Sequence, residues 1–424
     1  FAEAYVELGN AYLLQAQYGP AMGAEATSRV LRQAADRAGA AVDSALGIDP
    51  KLGEALILRG ALAMRLDDTP KAEADLRAGL ALSPSSARGH QLLGELLAED
   101  PAKIEEALAL IERARPLDPL EPRGLYYQGL LESLRGNVAE AERLLLAALQ
   151  LRPDYAPALT RLALLNWVWR GQFAEAIKYT EYAVKADPQA PYLRGPAIAS
   201  YLELDDVAAA QSLAPRAAAG DFAEALHTYA GDYGAAAALL YADPQRYSAC
   251  DWSSDSYALL EQARASRQYA RARDFLERRA SIVVHGDALL VKAGAEHAAT
   301  VVAQILETSG DHAGARRLLE AVLRQLDRAT PPTSGNCVHV TRTRARTLAL
   351  LQRDAEAIVA LKRATLGENA WYYGWYLFDR DPAYARVRED PEFRSLRAAY
   401  RARVEAERGK LAPLRSAGLI PARP

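Results

Sequence analysis

The residues of this chain whose types could do chemistry are six histidines, two cysteines and a scatter of adjacent carboxylates. The histidines are His90, His227, His285, His297, His312 and His339. No two stand at the i, i+4 spacing that puts two imidazoles on one helical face, and there is no His-Glu-x-x-His. Cys337 and His339 are two apart, but a thiolate nucleophile needs a placed base and an oxyanion hole, and nothing around them signals either. Acidic pairs such as Glu105-Glu106 and Asp205-Asp206 read as solvated helix or turn positions. Neither a Gly-x-Gly-x-x-Gly run nor a Walker A loop is present to cradle phosphate. The expectation is recognition without catalysis, with no catalytic residue, metal site or cofactor.

Composition narrows the partner. The 424 residues are 50% hydrophobic and 25% charged, with a formal net charge of −3. That is a mixed, solvated surface without the basic footprint of a nucleic-acid binder, so no nucleic-acid contact is expected. No apolar run approaches the roughly 18 residues of a membrane span, and no signal-peptide pattern is present. The chain starts at Phe1, already inside a helical pattern, as expected of a fragment or a processed product. Cys250 and Cys337 lie in polar, loop-like contexts, and either one disulfide or two thiols fits them.

The elements that must position a recognition surface are set by five prolines, Pro50, Pro84, Pro119, Pro153 and Pro188, at intervals of 34, 35, 34 and 35 residues. Twelve residues before each stands an alanine: Ala38, Ala72, Ala107, Ala141 and Ala176. Ten residues after the first four come Gly60, Gly94, Gly129 and Ala163. Small residues at matched positions let two helices approach closely. Gly136 and Gly171 fall where a left-handed helix end is needed between the two helices of a unit. The first unit carries an insertion, read as longer helices around Tyr18-Gly19-Pro20. After Pro188 the pattern decays, leaving traces such as Tyr201 and Ala210, or Gly310, Ala315 and Leu319. The run Ile282-Val283-Val284 is too short to argue for a sheet. Asp381-Pro382 and Asp390-Pro391 each start a helix, with Asp as N-cap. The last of these, about 391–409, is read as a cap over the terminal repeat.

A period near 34 with these small positions resembles the tetratricopeptide (TPR) superfamily. The resemblance implies an all-α solenoid, a right-handed superhelix of about ten helix pairs with a C-terminal helical cap. Regular units fill 1–188, degenerate units 189–370, and an aromatic segment with the capping helix 371–424. A narrower resemblance rests on Phe1-Ala2-Glu3-Ala4-Tyr5, Leu117-Asp118-Pro119, Asp390-Pro391-Glu392-Phe393 and Gly418-Leu419-Ile420-Pro421. These are similar to the C-terminal sensor regions of bacterial regulators that join a winged-helix or adenylate cyclase output domain to TolB-like and TPR segments. It implies a non-catalytic scaffold for signalling or transcriptional regulation, periplasmic if an upstream membrane helix anchors it and otherwise of open compartment. The alternative is a stand-alone subunit of a cell-envelope, secretion or filament assembly.

In such an array the first helix of each pair, helix A, lines the concave face. Residues on one helical face at the 3.6-residue period are then Arg88, Gln91 and Glu95 in the third unit, Arg123 and Tyr126 in the fourth, and Thr160 and Trp167 in the fifth, with Arg161 beside them. Arginines suit carboxylates and aromatics supply contact area, so a protein or peptide partner is expected there. Self-association stays open.

Overall fold

Each rung of the proline ladder is a turn between helix pairs. The computed structural model describes residues 1–17, 24–188, 191–213, 223–247, 255–285, 288–328, 340–364 and 374–421. Cys250, Cys337, His339 and Tyr18-Gly19-Pro20 lie outside them. The helices in chain order are α1 (Ala2–Gln17), α2 (Ala24–Ile48), α3 (Gly53–Arg65), α4 (Thr69–Leu82), α5 (Ala87–Leu97), α6 (Ile104–Ala114), α7 (Pro122–Leu134), α8 (Val138–Leu151), α9 (Ala156–Leu164), α10 (Phe173–Ala186), α11 (Gly195–Glu203) and α12 (Val207–Leu213). There follow α13 (Ala223–Ala230), α14 (Tyr233–Ala242), α15 (Asp255–Ser266), α16 (Tyr269–Arg279), α17 (Glu296–Thr308), α18 (His312–Arg328), α19 (Val340–Leu350), α20 (Asp354–Lys362), α21 (Gly374–Asp379) and α22 (Pro391–Ser416). Strands β1 (Ile282–His285) and β2 (Ala288–Val291) separate α16 from α17.

The chain packs as two compact units, Phe1–Leu131 and Glu132–Pro424, and the boundary falls inside α7. The change of repeat character after Pro188 lies within the second unit.

In the first unit the pairs α1/α2, α3/α4 and α5/α6 close through their small residues. A Cβ placed on Gly60 would lie 2.7 Å from Leu76 Cγ and 3.2 Å from the carbonyl oxygen of Ala72. One on Gly94 would lie 2.7 Å from Ile111 Cδ1 and 3.1 Å from the carbonyl oxygen of Ala107. Ala38, Ala72 and Ala107 are fully buried, as their spacing predicts. The insertion in the first unit lengthens α1 and α2 to 16 and 25 residues, against 13 and 14 for α3 and α4.

The second unit continues the helix pairs with the same device at the A-to-B turn: one residue in the left-handed region. It is Gly136, Gly171, Gly231 and Gly310 where glycine is available, and Asp205, Arg267 and Gln352 elsewhere. Gly171, at φ 58, takes this conformation without a Cβ penalty. The turn geometry therefore persists where the prolines stop.

Two expectations are corrected here. The run Ile282-Val283-Val284 does form a strand, pairing antiparallel with β2 in the register Ile282↔Val291 and Val284↔Leu289. Ile282 and Val284 point into the core while Val283 and Leu290 face water, the alternation of a half-buried hairpin. The C-terminal helix, in turn, does not simply cover the last repeat. It is longer than expected, and α22 packs on α10 as well as α20. Its N-cap is as read: the Asp390 carboxylate accepts from the amides of Glu392 (2.8 Å) and Phe393 (3.4 Å).

Candidate protein-interaction face

In the first unit the A helices α1, α3, α5 and α7 carry the polar positions. Ser86 caps α5, its Oγ accepting from the Gly89 amide at 3.2 Å, which places Arg88 in the first turn. Arg88 reaches over α3 to donate to Asn10 Oδ1 on α1. A side chain that bridges two A helices across the one between them requires this face to curve inward. Arg88 is exposed to water yet enclosed by protein. The loss of surrounding water lowers its pKa, Glu54 and Glu7 oppose this, and Arg65 and Arg123 add to it.

Two turns along α5, Glu95 turns its carboxylate onto the same face. Its side chain is 2% exposed, and that of its ion-pair partner Arg123 is 46% exposed. Gln91 Nε2 donates to Glu95 Oε1 at 2.8 Å. Burial raises the Glu95 pKa, while Arg123 and Gln91 pull it back. Arg123 also stands over the Tyr127 ring, 5.9 Å from its centroid, and Tyr126 meets Tyr127 edge to face at 4.9 Å. Burial and the neighbouring Glu95 push the Tyr127 phenol up.

Arg88, Gln91, Glu95, Arg123 and Tyr126 are thus brought onto one face of the first unit. Asn10 and Tyr127 were missed in the sequence. Asn10 was findable: it follows Gly9 as Glu95 follows Gly94 in the repeat register. Tyr127 carries no signal beyond its neighbour.

The three residues of the fifth repeat lie in the second unit and behave differently. Thr160 Oγ1 donates to the Ala156 carbonyl one turn back, at 2.8 Å. Arg161 is half-buried. Trp167 is 3% exposed, so it is a core residue and lines no open face. It sits in a π-helical turn, Leu165–Arg170, that extends α9. There Asn166 Nδ2 donates to the Leu162 carbonyl and the Gln172 amide donates to the Asn166 carbonyl. Leu165, Asn166, Val168 and Trp169 are buried with it, so the turn is covered on every side, which helical periodicity does not signal.

The A helices of the second unit are covered by the chain's own C-terminal segment. Tyr400 Oη donates to Glu203 Oε2 on α11 at 2.7 Å, and Tyr376 Oη to Glu261 Oε1 on α15 at 2.9 Å. Arg380 donates to the Tyr229 carbonyl at the end of α13 at 2.8 Å, and Asp381 pairs with Arg346 on α19.

Among known proteins, a stretch of 123 residues is 34% identical to the TPR repeat-containing protein PA4667 of Pseudomonas aeruginosa. Helix pairs at this period, closed by small residues at these positions, decide the repeat type. The fold is an all-α solenoid of tetratricopeptide type. The match covers 29% of this chain and 21% of that relative, so it spans about a fifth of the relative's length. No protein-family model matches the chain. Solved structures with stacked helices align loosely. Pseudomonas aeruginosa pilF aligns at 20% identity over 51% of this chain and 89% of its own, with a TM-score of 0.40. PilW, described as a widely conserved type IV pilus biogenesis factor, gives 21% over 57% and 95% with 0.37. The human IFIT1 dimer with m7Gppp-AAAA gives 18% over 70% of each chain with 0.41. Likeness at this level has no bearing on function. Among the described residues no helix is long and apolar enough to cross a membrane. The A-helix face of the first unit combines fixed charge, hydrogen-bond donors and aromatic edges.

Proposed function

We propose that this chain is a non-catalytic tetratricopeptide scaffold that holds a protein or peptide partner on the A-helix face of its first unit. The observation that carries this reading is the Glu95 carboxylate, buried and held by Arg123 and Gln91, two turns along α5 from the exposed Arg88. A helix pair needs no polar group there for packing, whereas a recognition surface needs pre-positioned ones. Arg88 and Arg123 supply donors for a partner carboxylate, and Tyr126 and Tyr127 supply rigid contact area. Asp118-Pro119 and Asp390-Pro391-Glu392-Phe393 support a further step: this is the sensory region of a larger bacterial signalling regulator whose output domain lies elsewhere.

The test changes Arg88 and Arg123 to alanine together and compares the partners retained by each protein. Loss of a partner while the helix content at the assay temperature stays that of the unchanged chain supports the reading. Equal retention removes the face from the site. For the regulator context the upstream coding sequence decides: a winged-helix or cyclase domain supports it, while a secretion signal alone favours an assembly subunit.

A further inference from the structure

The C-terminal helix lies on the second unit as a ligand helix lies in a groove. It buries one stripe, Phe393, Leu396, Tyr400, Val404 and Leu411, and leaves Arg401, Glu405 and Lys410 in water. This is the amphipathic pattern of helix-in-groove recognition. Its polar contacts are aimed at helix ends about 200 residues earlier in the chain. Arg403 donates to the carbonyls of Arg170 and Gly171, where the extended α9 stops. Arg408 donates twice to the Leu204 carbonyl, the C-cap of α11, at 2.8 and 3.0 Å. Glu407 accepts from the Ala174 amide in the first turn of α10 at 3.1 Å. Arg415 pairs with Asp206, just ahead of α12, at 3.1 Å. Cations thus meet two helix C-termini and a carboxylate meets an N-terminus, as the helix dipoles favour.

The groups that Arg403, Arg408, Glu407 and Arg415 meet in this way are helix ends and a carboxylate, while Phe393 and Tyr400 pack on the rings of Phe378 and Tyr384. The helix pairs beneath are joined instead through fully buried alanine and leucine, among them Ala176, Ala210 and Leu204. Upstream, the buried Arg346–Asp381 pair anchors the segment independently of α22.

We propose that this face is a peptide-binding groove of the second unit, filled in cis by α22 and open to a partner helix of the same chemistry. That chemistry is a tyrosine, an arginine three residues on, a glutamate seven on and a second arginine eight on, after Tyr400, Arg403, Glu407 and Arg408. The groove is separate from the first-unit face, so neither reading depends on the other.

The test uses the full chain with Arg403→Glu and Arg408→Glu together, which sets carboxylates against helix C-terminal carbonyls. Hydrogen exchange over 400–415 is compared with the unchanged chain, and a labelled synthetic peptide of residues 391–416 is added. Protection over 400–415 is expected to fall about tenfold or more while α15 and α17 keep theirs. The peptide is expected to bind the variant and not the unchanged chain, and a peptide carrying the same two changes to bind neither. Unchanged protection would overturn the proposal. So would lost protection without peptide binding, or loss of protection throughout the second unit, since either makes α22 an integral wall. If the double reversal prevents folding, Arg403→Gln with Arg408→Gln is read by the same criteria.

Discussion

Arg346 and Asp381 form an ion pair inside the second unit, with 3% and 1% of their side chains exposed. Arg346 also donates to Thr300 Oγ1 at 2.8 Å and to Gln304, and Asp381 accepts from the Ala383 amide at 2.9 Å. Burial, the largest influence, opposes the guanidinium charge, but Asp381 together with Tyr257, Tyr376 and Tyr384 outweighs it and the Arg346 pKa is raised. Removing one partner strands the other, so Arg346→Met or Asp381→Asn is expected to cost about 3–5 kcal/mol. Replacing both with apolar residues is expected to cost much less than the sum. Urea denaturation of the singles and the double measures the difference; additive losses would show the pair is uncoupled.

His297 gives the second unit an acid-sensitive limb. Its Nε2 is buried without a hydrogen-bond partner, the Tyr257 ring lies 5.1 Å away, and Arg346 and Arg342 are close. Burial first, then the two arginines, hold its pKa well below 6.5. Below pH 6.5 the unfolded chain takes up a proton that the folded chain refuses. The stability contributed by neutral His297 is full above that pH and declines as pH falls toward the folded pKa. His297→Gln should therefore lose less stability than the unchanged chain between pH 7.5 and 5.5, by about 1 kcal/mol. Denaturation midpoints at both pH values read it; parallel declines would refute it.

Glycines at helix contacts and glycines on open faces should respond with opposite sign. Gly94→Leu drives carbon into Ile111 and the Ala107 carbonyl, with an expected loss of about 1–3 kcal/mol. A Cβ on Gly39, inside α2, would meet nothing within 4 Å, so Gly39→Ala should gain about 0.5–1 kcal/mol. Thermal melts of the two variants decide.

Glu95 depends on Arg123 for its charge. Arg123→Met leaves a buried carboxylate with Gln91 alone, an expected loss of about 1–3 kcal/mol at neutral pH. Its pKa rises further in the folded state, so the loss should shrink as pH falls and the folded chain takes up the proton. Glu95→Gln in the same chain should recover most of it. A loss that neither acid nor Glu95→Gln relieves would mean that Arg123 contributes packing alone.

What the sequence by itself determined is local. The proline rungs, the alanines twelve residues before them, Gly60 and Gly94, and the Asp390 cap all act within one helix pair or one turn. Residue type and spacing therefore suffice to place them. The same register brought Arg88, Glu95 and Arg123 to one face of the first unit, because α5 and α7 are regular. The β1–β2 hairpin was missed because four-residue strands carry too little pattern against a helical background. Trp167 was misplaced because the whole turn from Leu165 to Trp169 is buried, and periodicity does not show that a polar or aromatic face is covered by other parts of the chain. Tertiary structure alone decided where α22 lies. Its apolar stripe is legible as a face that must be buried, but periodicity does not name the surface that buries it. That choice rests on matching Arg403, Glu407 and Arg408 to helix ends some 200 residues away, and only the folded repeats bring those ends together.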